Sequence, residues 1–152
     1  MGLDEVGERD GWRCWICDVS VDPAASVNDG LGPSIDRCDV LTRPLRRGKP
    51  GPGEERLAHR SCNTKKGAIR PTIAWPGHLF LVDPAPIVQS AERLIAKGGR
   101  ELVARCPTEA DASEAARWLE DRLTRLVPSV AFTTRIEQGG GQFLLSLLTP
   151  RP

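Results

Sequence analysis

The sequence predicts an α+β chain in two parts. Residues 1–70 read as a loop-rich, metal-stapled unit, residues 71–77 as a linker, and residues 78–152 as a small α/β sheet unit of order β-α-β-α-β-β. Three observations lead there. Four residues of metal-ligand type stand in two pairs, Cys14-x-x-Cys17 and His59-x-x-Cys62. The first 70 residues carry few large apolar side chains, too few to fold that length on burial alone. Clear apolar periodicity, at helix and strand spacing, is confined to the second part.

In the first part, Cys14 and Cys17 flank a tight turn, and His59 and Cys62 stand at a loop-to-helix junction, where a helix N-terminus favours thiolate. Between them, glycine and proline punctuate the chain. The run from Arg46 to Gly53 (RRGKPGPG) can be neither helix nor interior strand and reads as a basic loop. In the second part, His78 to Val82 reads as a short buried strand. Asp83-Pro84 supplies an N-cap followed by proline at the first helical position. Ile87, Val88, Ala91, Leu94 and Ile95 follow at helical spacing until Gly98-Gly99 ends the helix. Glu101 to Arg105 is the next strand. Thr108 caps a helix whose apolar face is Ala112, Ala115, Ala116, Leu119, Leu123 and Leu126, and Pro128 stops it. Val130, Phe132, Thr134 and Ile136 alternate as a strand, the glycines at 139–141 turn the chain, and Gln142 to Leu148 returns. The pattern implies an open α/β sheet with a C-terminal hairpin. No catalytic constellation stands out in it, and packing or oligomerisation is its simplest role.

Charge narrows the partners. The 152 residues hold 21 Lys and Arg against 20 Asp and Glu, so no uniformly basic coat exists. The charge is nonetheless segregated: residues 1–36 carry 2 basic and 8 acidic groups, residues 37–70 carry 10 and 3, and the remainder 9 and 9. A net of +7 over 37–70 is a statement about partners rather than fold. No apolar run is long enough to span a membrane. The five cysteines, an odd number, and the acidic N-terminus without an apolar core argue against a secreted disulfide scaffold and for a reducing, cytoplasmic location.

Two ligand pairs, each separated by two residues, suit one tetrahedral Zn²⁺ held by Cys14, Cys17, His59 and Cys62. Cys38 is an alternative fourth ligand in place of His59. A redox C-x-x-C would want a flanking βαβ pattern, which is missing around residues 14–17. A structural zinc would supply folding free energy that the thin core lacks.

The stretches Arg9-Asp10-Gly11-Trp12-Arg13-Cys14-Trp15-Ile16-Cys17 and Leu57-Ala58-His59-Arg60-Ser61-Cys62-Asn63-Thr64-Lys65-Lys66-Gly67 resemble the HNH endonuclease family, and the resemblance covers residues 9–67. It implies a ββα-metal fold. It also implies that Asp36 and Asn63 are ligands of a divalent cation, Mg²⁺ or Mn²⁺, that holds the scissile phosphate. The family's general-base histidine falls on Arg37, and a guanidinium cannot accept a proton at neutral pH. The family's middle asparagine falls near Glu54. Asp39, Glu54 and Glu55 are the substitute bases to consider, each weak at pH 7 if its pKa is ordinary.

The basic block then acquires a place. By resemblance, Arg37, Arg43, Arg46, Arg47, Lys49, Arg60, Lys65 and Lys66 face a phosphate backbone, DNA first and RNA second. Arg37 would clamp a phosphate where the family activates water. The expected function is nucleic-acid binding on a degenerate HNH-like zinc domain. The alternatives are an active metal-dependent endonuclease with a substitute base, and a zinc-scaffolded protein-interaction module, with residues 78–152 as the surface for a protein partner or a second copy.

Overall fold

The computed structural model describes residues 1–43 and 53–151. The chain is mixed α+β and divides into two compact units, Met1–Ile73 and Ala74–Pro152. The division falls inside the stretch read as a linker. Among the described residues, no helix is long and apolar enough to cross a membrane.

The first unit opens with a helix, α1 (Leu3–Arg9), that carries Asp4 and Glu5 in its first turn and Arg9 in its last, the arrangement the helix dipole favours. Its seven residues are too few for a periodic signal, and the sequence reading places no helix there. Gly7 is where α1 meets Trp12: a Cβ at Gly7 would come within 2.6 Å of the indole ring. The chain then turns through Gly11 and Trp12, both at positive φ, into the Cys14–Cys17 turn.

Strands β1 (Pro33–Cys38) and β2 (Glu54–His59) pair antiparallel, with Asp36 opposite Arg56 and Pro33 opposite His59. Helix α2 (Arg60–Lys66) follows β2 without a break. The backbone carbonyls of Gly32 and Gly30 accept from the Arg60 and Ser61 N–H groups at 3.0 and 2.8 Å, so the first donors of α2 are satisfied from the loop before β1. That loop is closely folded, since a Cβ on Gly32 would lie 2.0 Å from the Ser26 carbonyl. Val6, Cys14, Trp15, Leu57 and Ala58 form the buried centre. Charge is buried with them: Asp10 Oδ2 accepts from Arg56 Nε at 3.0 Å and from the Leu57 N–H at 2.7 Å.

The second unit differs from expectation at its start. The strand expected at 78–82 reduces to one bridge, Val82 with Arg105. Asp83 takes φ 49 instead of capping a helix, and the Ala85 N–H is still bonded to Val103 at 2.7 Å. The chain therefore keeps alongside its neighbour, and helix α3 (Ile87–Lys97) begins after Pro86, three residues later than the Asp83-Pro84 reading. Strand β3 (Gly99–Cys106), helix α4 (Glu109–Leu126), strand β4 (Thr133–Gly139) and strand β5 (Gln142–Thr149) follow. Thr108 accepts from the Asp111 N–H at 3.1 Å, the expected cap. Val130 and Phe132 precede β4, because the Val130 N–H closes a turn on Val127 past Pro128.

The sheet runs β3-β5-β4, and both pairings are antiparallel. The sheet is therefore α+β in character where an open α/β sheet was expected: among the described residues no parallel pair forms, and the bridge that remains of the would-be first strand, Val82 with Arg105, is itself antiparallel. Both helices lie on one face. Arg93 of α3 pairs with Glu101 of β3 at 2.7 Å, and Thr134 of β4 donates to Glu120 of α4 at 2.6 Å. Between them Leu94, Leu119, Leu123, Leu145 and Leu147 make the core.

Candidate metal centre

The turn at residues 14–17 is built like half of a hairpin. Arg13 bridges Ser20, the Cys14 N–H donates to Val19, and the Asp18 N–H returns to the Cys14 carbonyl at 2.8 Å. Asp18 takes φ 66 and is clamped by Arg13, whose Nε lies 3.2 Å from Asp18 Oδ1. The turn is docked on the hairpin through the Trp15 N–H, bonded to Leu57 of β2 at 2.9 Å. β2 ends at His59, and the first turn of α2 brings in Cys62.

These elements converge the four ligands. The donor atoms of Cys14, Cys17, His59 and Cys62 all lie within 4.8 Å of one another. His59 Nδ1 is 3.3 Å from Cys17 Sγ and 3.9 Å from Cys62 Sγ. Ligands about 2.0–2.3 Å from a tetrahedral Zn²⁺ sit roughly 3.5–3.8 Å apart, so the cluster fits one such ion. His59 Nε2 lies 3.1 Å from the Ser20 carbonyl, which accepts a hydrogen bond from it and leaves Nδ1 with the lone pair a metal needs. The His59 N–H points at Cys14 Sγ at 3.4 Å, a donor suited to thiolate. Cys62 is pushed up to about 12, first by burial and then by the neighbouring Cys14 and Cys17 sulfurs, and burial likewise raises Cys14. Crowded thiols hold their protons until a cation offsets the charge, and a divalent ion would do so.

Cys38 is not part of the cluster. It is buried in β1, its thiol directed to the Val40 carbonyl at 3.3 Å, and burial pushes it up to about 11. The alternative with Cys38 as fourth ligand is therefore set aside in favour of His59.

The second cation expected from the resemblance does not fit these residues. Asp36 is 7% exposed and both of its oxygens are engaged. Oδ2 accepts from Trp15 Nε1 at 3.0 Å, and Oδ1 faces Lys66 Nζ at 3.2 Å. The same ammonium stands 6.0 Å from the Trp15 ring centroid. Asn63 donates through Nδ2 to Ser34 Oγ and the Ile35 carbonyl at 2.9 and 3.2 Å. A hard divalent cation wants several free oxygens in near-octahedral array, and here a side-chain ammonium already holds the carboxylate. Among the described residues no other group of three or more His, Cys, Asp or Glu converges.

Arg37 does not join Asp36. Successive side chains of a strand point to opposite faces, and Arg37 stands on the other face of β1, beside Asp39 at 3.3 Å. It is 68% exposed. Arg43, Arg60 and Lys65 are also exposed, Arg60 reaching the Val27 carbonyl at 2.8 Å. Arg46, Arg47 and Lys49 lie outside the described residues. Glu54 and Glu55 are exposed strand residues at the start of β2, Glu55 paired in register with Arg37.

Several residues that matter here carry no sequence signal. Trp15 is hidden between two cysteines, yet its indole and its backbone tie the metal turn to β1 and β2. Asp10 and Arg56 are a buried pair 46 positions apart. No family model matches the chain, and no curated protein or solved structure matches it.

Proposed function

We propose that the chain is a nucleic-acid-binding protein whose first unit is a zinc-stapled, HNH-like ββα scaffold without the family's cleavage machinery. The order hairpin, then helix, with the Cys14, Cys17, His59 and Cys62 cluster spanning turn, strand and helix, supports the scaffold. In this reading zinc is a closed structural site with four protein ligands and no open position.

One observation carries the binding reading. The unit presents Arg37, Arg43, Arg60 and Lys65 to solvent, while the carboxylate that a catalytic cation would need, Asp36, is already matched by Lys66. Exposed guanidinium and ammonium groups on a compact scaffold neutralise phosphates and release counterions, with no requirement for Mg²⁺. Arg37 cannot act as a base, and on its face of β1 it would hold a phosphate oxygen.

The test is fluorescence anisotropy with a labelled duplex, using zinc-loaded protein in magnesium-free buffer across a salt series. Binding should weaken steeply with salt. The double variant Arg60→Gln, Lys65→Gln should lower the slope of log affinity against log salt by about 1.8, roughly 0.9 for each phosphate that is no longer neutralised. No binding at low salt would overturn the reading. Mg²⁺- or Mn²⁺-dependent cutting of plasmid that disappears in Asp36→Ala would replace it with the endonuclease.

A further inference from the structure

The three-stranded sheet of the second unit has two edges, and the fold treats them differently. On the β3 edge the register shifts between Leu102 and Ala104, the mark of a bulge. The same edge is covered: Val82 exchanges backbone bonds with Arg105 at 2.8 and 3.1 Å, and the Ala85 N–H bonds to the Val103 carbonyl at 2.7 Å. A bulge and a covering segment both keep an edge from pairing with another chain. On the β4 edge neither device is present. Thr133–Gly139 (TTRIEQG) runs in unbroken register with β5 and holds no proline and no lysine. Among the described residues β5 is its one strand neighbour.

The hydrogen-bond phase says which backbone groups that edge offers. Arg105 spends its N–H and carbonyl on Val82, so Leu144 opposite it turns its own groups to β4, where it meets Glu137. The hairpin turn gives the same phase. Gly140 and Gly141 are its two central residues, and the flanking pair Gly139 and Gln142 closes it. Bonded and outward residues alternate along an antiparallel strand. Arg135, Glu137 and Gly139 therefore bond to β5, and Thr134, Ile136 and Gln138 turn their N–H and carbonyl groups outward. Among the described residues no backbone group meets these three.

We propose that the β4 edge pairs antiparallel with β4 of a second copy of this chain, about a two-fold axis through Ile136, to give one six-stranded sheet. The strand is self-complementary in that register, as a two-fold interface requires. Ile136 faces Ile136 of the second copy, and Thr134 faces Gln138, so outward backbone groups meet outward groups. Arg135 faces Glu137 on both sides of the axis. Arg135 is exposed and has no carboxylate partner among the described residues. Glu137 pairs with Arg100 of its own copy at 2.9 Å, and across the axis its carboxylate would stand between two guanidiniums. An axis through Arg135 or Glu137 would instead oppose like charges. On the helix side, which Ile136 shares with Thr134, two half-buried isoleucines would cover one another. The charge match selects a second copy over a foreign strand, and nothing in it depends on nucleic-acid binding by the first unit.

Analytical ultracentrifugation of the zinc-loaded full chain over about 10–500 μM tests this, because a small interface makes and breaks in that range. The wild type should pass from monomer to dimer. Arg135→Glu sets a carboxylate against Glu137 on both sides of the axis, and Glu137→Lys sets an ammonium against Arg135. Each variant alone should dimerise at least about tenfold more weakly, and an equimolar mixture should recover the dimer, because its charges match across the strands. Amide exchange of the wild type reads the register directly. Thr134, Ile136 and Gln138 should gain protection as concentration rises, while Arg135 and Glu137 are protected throughout by β5. A wild type that stays monomeric across the range overturns the proposal. So does a dimer that both single variants leave unchanged, or a mixture of folded variants that associates no better than its components. Protection that rises at other amides and not at these three places the interface elsewhere and also overturns it.

Discussion

At Asp36 the chain commits a buried carboxylate to an indole N–H and an ammonium, at 3.0 and 3.2 Å. Removing one partner of a buried pair leaves the other charge uncompensated, which costs more than the pair contributes. Lys66→Met should therefore destabilise the first unit by about 3 kcal/mol in urea unfolding. Asp36→Asn combined with Lys66→Met should cost less than the sum of the single changes, because neither charge is then stranded. If Asp36 were a metal ligand, Lys66→Met would stabilise the protein in excess Mn²⁺, and it should not. Cys38 gives a pH signature. Its thiol is raised by burial from 9.0 to about 11, so the folded chain holds this proton more tightly than the unfolded one. The contribution is complete below about pH 9 and is lost as pH rises through 11. Relative to Cys38→Ala, the wild type should lose about 2 kcal/mol of stability as pH rises from about 8 to about 11.

At the scale of elements, the second unit was the more legible half. Helix α4 is marked by its apolar face and by Thr108, and the β4–β5 hairpin by alternation and glycine. Gly140 and Gly141 take φ 62 and 76, the positive values a two-residue hairpin turn demands. Thr108→Ala should cost about 1 kcal/mol, read as a shift in the thermal melt of the second unit. What the sequence hid was tertiary. Residues 78–82 have a strand's composition, but Asp83 at positive φ and the Ala85 to Val103 bond reduce them to one bridge. Helix α1 is too short to show a period. The quartet of Cys14, Cys17, His59 and Cys62 was readable because two pairs at this spacing are what a tetrahedral ion would require, whereas the choice of His59 over Cys38 depends on which strand end meets the turn. The buried links from Trp15 to Asp36 and from Asp10 to Arg56 follow from strand register, which no local pattern encodes.

For the whole molecule, the two units draw stability from different sources. The second has a leucine core between sheet and helices. The first has a thin core, buried ion pairs and the Cys14, Cys17, His59 and Cys62 cluster, so with a metal in that cluster much of its folding free energy should be binding free energy. Chelation of zinc should unfold residues 1–73 and leave residues 74–151 folded, visible in amide NMR spectra as selective loss of dispersed resonances that zinc restores. Part of the basic block read from the sequence is exposed on the first unit, at Arg37, Arg43, Arg60 and Lys65, while the second unit is balanced in charge.

The proposal of a nucleic-acid-binding zinc unit stands or falls on affinity for a labelled duplex, measured on the same preparation zinc-loaded, chelated and reloaded, in magnesium-free buffer. Chelation should weaken binding at least about tenfold and flatten its salt dependence, and reloading should restore both. Affinity and salt slope that stay the same through chelation would refute a zinc-folded binding unit.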